Sequence, residues 1–311
     1  MRRRRKSANN SSKTHPKHGV VFLILSIMLM LVGIAIIAYP ITLTIRNYID
    51  HEAVIHKLQQ EDAEIPKIQA EKEIAAAQQY NASLAKSGQY LIGQGASDFM
   101  TSGITTNGVT KSPAYMNYLN ILNGQNDEIE GYVSVPEYGI NLPIYHGTAE
   151  GSLSRGAGQL YGTSFPVGGP STRSVICGHT GVVYAMLFTR LMQMKMGNLF
   201  YIDVLGHTMA YKVVNIKIIL PSDINAIKIV PGEDLVTLLT CYPYGINTHR
   251  LLVTGERVPL GELAHSNLND GLVIIIWSAA IGLLLFILLS IIFRRWRYWM
   301  RMYHARRRRM H

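Results

Sequence analysis

The sequence predicts a mostly β domain, a closed or nearly closed β-barrel with helices before it, held between two transmembrane helices. Three observations predict this. Residues 20–38, VVFLILSIMLMLVGIAIIA, and residues 272–293, LVIIIWSAAIGLLLFILLSIIF, carry no charged side chain. The second run extends about 33 Å as a helix, enough to cross a hydrocarbon core, and neither run has the polar stripe of a buried core helix. Between them, over residues 115–260, short β-prone runs alternate with closely spaced turns, as the strands of a barrel do.

The net charge of +10 belongs to the ends of the chain. Residues 1–19 form a basic tail with Arg2 to Arg5, Lys6, Lys13 and Lys17, and residues 294–311 form another with eight arginines. All 20 acidic residues lie between the spans, against 15 basic ones, so the middle of the chain is acidic. Basic tails beside apolar spans fit the positive-inside preference, with both termini cytoplasmic and the middle extracellular. Arginine runs also suit nucleic acid, but their place against the spans points to the lipid bilayer as partner and to no nucleic acid.

In chain order, residues 20–45 read as an uncleaved signal anchor, because no A-x-A site precedes YPITLTIRNY. Residues 46–92 are rich in Ala, Gln, Glu and Lys and read as a membrane-proximal helical stalk or hairpin, with Pro66 in the first turn of a second helix. Asn81-Ala82-Ser83 is a glycosylation sequon in form only. Residues 93–114 lie in a Gly-, Ser- and Thr-rich loop without periodicity, and PAYMNYLNILN after it reads as a short helix. Strands follow in IEGYVSVPEYGINLPIYHG, RSVICGH, a hairpin turning at Gly206-His207, DLVTLLTC and HRLLVTGERV. Residues 261–271 form a polar linker before the second span. Two cysteines make no disulfide framework, so the core is held by packing.

Chemistry concentrates at TLLTCYPYGINTHRLLVTGER, residues 237–257. Cys241 ends an apolar strand and precedes a turn, which fixes it on one side and opens it on the other. By residue type alone it is either a small buried side chain or a nucleophile. As a nucleophile it needs a nearby cation and a proton carrier, and the candidates are His179 and Arg250. No CxxC or HxxxH spacing offers a metal site, and no P-loop or dinucleotide fingerprint is present, so neither metal nor cofactor is expected.

LPIYHGT (142–148), GTSFPVGG (162–169), GHTG (178–181) and the 237–257 segment together resemble the sortases, specifically the pilus-assembling class C sortases of Gram-positive bacteria. The resemblance implies a sortase-type barrel of about eight strands. It implies a cysteine transpeptidase that cleaves an LPXTG-like sorting signal between Thr and Gly. The thioester would form on Cys241, with His179 as proton carrier and Arg250 holding signal and oxyanion. The implied partners are LPXTG-containing pilin subunits and an acceptor lysine of a neighbouring pilin. His146 and His249, in matching segments, are read as structural or pocket-lining. Rival readings are a housekeeping-type sortase using a cell-wall precursor amine, a simple cysteine hydrolase and a non-catalytic membrane-anchored binding domain.

Two features depart from the family pattern. Class C sortases carry a lid with an Asp-Pro-aromatic tripeptide, whereas this loop offers Asp98-Phe99 without the proline. Residues 93–114 are therefore read as a candidate lid, with Asp98 or Phe99 plugging the site, or else as a plain loop. Cys177 stands where the family more often has Ser or Thr. Residues two apart in a strand share a face, so Cys177 is read either as a small buried side chain or as a redox partner able to close a disulfide on Cys241.

Overall fold

The computed structural model describes residues 17–89, 113–123, 128–181 and 186–261, with isolated positions between 282 and 302. Helix α1 runs from Lys17 to Glu64 without interruption, joining the expected anchor and the stalk into one rod of 48 residues. Its most apolar stretch is covered by no protein, and Leu25, Leu29, Leu31 and Ile36 stand exposed. Such a surface suits lipid. The expected second span at 272–293 lies outside the described residues apart from Gly282, so the described fold holds one candidate span.

Pro66 caps helix α2 (Lys67–Ser87), as its fixed φ favours, and Gly88 closes the helix in the left-handed region. The stalk reading understates α2, which packs on the barrel through Ala77 and Asn81. Asn81 brackets the backbone of Phe165: its amide donates to the Phe165 carbonyl at 3.1 Å, and its oxygen accepts the Phe165 N–H at 2.7 Å. Helix α3 (Pro113–Leu119) places Tyr118 fully inside the core, bonded to Gln159 and the Gly147 N–H.

Eight strands close into one barrel: β1 (Ile129–Val135), β2 (Ile140–His146), β3 (Ala157–Gln159), β4 (Thr172–Cys177), β5 (Leu199–Val204), β6 (His207–Ile219), β7 (Asp234–Tyr242) and β8 (His249–Val258). Around the barrel the order is β1-β2-β3-β4-β7-β8-β6-β5, and β5 pairs back to β1. A short helix, α4 (Glu150–Leu153), joins β2 to β3. The β5–β6 hairpin turns at Leu205-Gly206, one residue earlier than expected, and Val204 pairs with His207. Both turn residues have positive φ, 51° and 75°, which the twist of a two-residue hairpin demands and which glycine tolerates best.

Alternation sorts the side chains of the central strands. Ile176, Leu238, Leu251 and Val253 enter the main core with Val133, Phe200, Ile202 and Tyr211. Val175, Cys177, Leu239 and Leu252 point to the other face, where Leu153 of α4 and Ile227 of a 3-10 turn at Ile224–Ile227 cover them. Buried Arg173 fastens that turn: its guanidinium donates to the carbonyls of Ala226 and Lys228 and to the hydroxyl of Thr237.

Candidate active site

The predicted site residues come from the ends of three adjacent strands. Strands β4 and β7 run parallel with Cys177 beside Leu239. The pairing continues past β4, since the Gly178 N–H donates to the Leu239 carbonyl at 3.0 Å and the Thr240 hydroxyl donates to the Gly178 carbonyl at 2.6 Å. His179 and Cys241 each stand two residues beyond the Cys177–Leu239 pair, so they leave the sheet at the same end. Strand β8 runs antiparallel to β7 and sets Arg250 directly opposite Cys241.

Local sequence explains these positions. A Cβ at residue 178 would lie 2.7 Å from the Phe188 ring, so glycine is required before His179. Arg250 is buried, and one guanidinium nitrogen donates to the carbonyls of Asn247 and His249 at 3.0 and 2.9 Å. These contacts aim a fixed positive fork at the β7 end.

The electrostatics of the thiol are opposed. Burial pushes the Cys241 thiol up, and the Arg250 charge pulls it down without cancelling the burial. Burial thus favours the thiol over the thiolate. Cys177 is fully buried and its thiol is driven far above the ordinary range, chiefly by burial. Both cysteines are free. Cys177 and Cys241 share a face and a cluster, but the register sets Cys177 opposite Leu239, two residues out of step with Cys241. Diagonal neighbours of this kind lie about 7–8 Å apart, beyond what a disulfide spans without backbone movement. The geometry thus favours the small buried side chain over the redox partner for Cys177.

His179 meets a residue that sequence reasoning missed: its Nε2 lies 3.2 Å from Oε2 of Glu150, at the start of α4. Only its acidic character beside the YHGT segment could have drawn attention to it. His146 is structural, buried with its ring nitrogens on the carbonyls of Ile121 and Glu128. His249 bonds its neighbour Thr248 on the surface. Asp98, Phe99 and the candidate lid at 93–114 lie outside the described residues except for the first two residues of α3. A cavity of about 620 Å³ lined by Glu71, Asp234 and Arg257 sits at the start of β7, the far end from Cys241.

A sulfur near the end of one strand, an imidazole just past its parallel neighbour and a guanidinium from its antiparallel neighbour are thus brought to one end of the sheet. The sortase domain family matches residues 133–258, from β1 to the end of β8. Sortase A of Streptococcus agalactiae serotype III is 25% identical over 259 residues, spanning 82% of this chain and 92% of that protein. Among solved structures, sortase C-1 from Actinomyces oris is similar at 43% identity and a TM-score of 0.53, over 61% of this chain and 99% of that one. Sortase C1 of Streptococcus agalactiae is similar at 37% identity and a TM-score of 0.58, over 68% and 97%. With its barrel, its strand order and these likenesses together, the chain belongs to the sortase family of cysteine transpeptidases, and within it stands beside the class C sortases.

Proposed function

We propose that this chain polymerises pilin subunits on the outer side of the membrane, with Cys241, His179 and Arg250 as its catalytic residues. His179 takes the thiol proton of Cys241, and the thiolate adds to the Thr carbonyl of an LPXTG-like signal while the Arg250 N–H groups hold the oxyanion. Collapse breaks the bond to the Gly nitrogen, and His179 gives that amine its proton, leaving a thioester on Cys241. A lysine amine of the next pilin then adds to the thioester and passes a proton to His179. The carbon–sulfur bond breaks and the departing thiolate recovers its proton from His179. One amide replaces another, so the cycle consumes no nucleotide.

The observation that carries this reading is the cross-strand pairing of Cys241 with Arg250 beside the end of β4. The class C likenesses support the pilin acceptor. Similarity along most of a protein named Sortase A supports a second reading, in which the acceptor is a cell-wall precursor amine and the thioester is unchanged. Incubation with an LPXTG peptide, followed by mass mapping of the trapped adduct, tests the shared step. An adduct on Cys241 that is lost in Cys241→Ala is expected, and an adduct elsewhere sinks the assignment. Competing a pilin lysine peptide against a wall-precursor amine then separates the two acceptors.

A further inference from the structure

The carboxylate of Glu150 faces Nε2 of His179 across 3.2 Å, although 29 residues separate them in sequence. We propose that Glu150 is a positioning residue for His179, selecting its tautomer and fixing the ring by a charge-assisted hydrogen bond. The inference rests on His179 being the proton carrier of the reading above.

The mount is rigid. Ser152 and Leu153 of α4 are buried, and Leu153 belongs to the apolar cluster on which Cys241 packs. The N–H groups of Ser152 and Leu153 donate to the Ala149 carbonyl, which closes the turn that carries Glu150. Just beyond, Arg155 Nε–H donates to the Gly151 carbonyl at 2.8 Å, and its guanidinium covers the Tyr145 ring at 4.4 Å. The backbone that carries Glu150 and the thiol are thus tied to one packed unit.

The chemistry of the ring gives the contact its meaning. An ionised carboxylate only accepts hydrogen bonds, so Nε2 is the donor and Nδ1 becomes the nitrogen that exchanges protons with the reacting groups. The negative charge strengthens the hydrogen bond that holds the ring in that orientation. The Glu150 side chain is 76% exposed and that of His179 is 23% exposed, so solvent screens the pair and its contribution is modest and salt-dependent.

The test compares Glu150→Gln and Glu150→Asp with the parent, each as the full chain in detergent, for transfer of an LPXTG peptide to an amine across pH and salt. Glutamine keeps the acceptor oxygen and removes the charge. Expected for Glu150→Gln are a kcat about threefold to fivefold lower, a KM little changed and a weaker dependence on salt. Glu150→Asp restores part of each. A Glu150→Gln kcat and salt dependence that overlay the parent overturn the inference. Cys241→Ala and His179→Ala separate the two levels: activity surviving in either removes the underlying reading. Inactivity in both, with Glu150→Gln unmoved, removes only the role of Glu150.

Discussion

Cys241 and Arg250 stand directly opposite each other across the antiparallel β7–β8 ladder. Residues so placed have their Cα atoms about 4.5–5.5 Å apart, so sheet geometry and not loop conformation sets the distance between sulfur and charge. Among the described residues, Arg250 is also the charge that lowers a thiol which burial raises.

Arg250→Ala should therefore move the pH midpoint of Cys241 alkylation upward and cut transpeptidation about 100-fold or more, the usual cost of an oxyanion donor. Arg250→Lys restores charge without the planar fork, so the alkylation midpoint recovers further than turnover does. Iodoacetamide labelling across pH, beside a turnover assay, checks both. An alkylation midpoint that stays put in Arg250→Ala would mean the guanidinium does not act on the sulfur.

Arg173 ties the 3-10 turn at Ile224–Ile227 to the strands beneath it. Arg173→Met leaves buried carbonyls and hydroxyls without donors and should cost about 3 kcal/mol. Denaturant melts measure that loss. Faster labelling of the fully buried Cys177 should accompany it, because the same turn helps to cover the cluster that holds Cys177.

Asn81→Ala removes both bonds to the Phe165 backbone and leaves a buried N–H and C=O unmatched. The expected loss is about 2 kcal/mol. Hydrogen exchange should show the Phe165 amide exposed sooner, and an unchanged rate would contradict the bracket.

Asp62, near the end of α1, has its carboxyl pushed up from an ordinary 3.8 to about 6, by burial first and then by Asp203. The folded chain binds this proton more tightly than the unfolded one. Stability from the contact is accordingly complete below about 3.8 and is lost as pH rises through about 6. Asp62→Asn should flatten the melting temperature against pH over that window. A curve as steep as the parent's would place the slope in other groups.

Much of this architecture was legible because its determinants are local. Strand β8 follows from the alternation in HRLLVTGERV, and the start of α2 follows from Pro66. Cys241, His179 and Arg250 could be picked out because each ends or begins a recognisable strand. Glu150 could not, since its meaning depends on where a four-residue helix lands against an imidazole from another strand. Asn81 read as part of a solvated stalk, because nothing nearby in sequence reveals that Phe165 lies across from it. The hairpin turn slipped by one residue because Leu205, an unfavourable residue for positive φ, accepts it there.

The parallel join between β4 and β7 has a consequence for the newly made protein. Thr240 and Gly178 are held together although they stand 62 positions apart in the chain, and contacts between such distant residues come late because the long loop between them must be closed. A polypeptide still emerging through the membrane thus carries its sulfur, ring and guanidinium as strangers. The site proposed above is therefore put together only when the cylinder is complete.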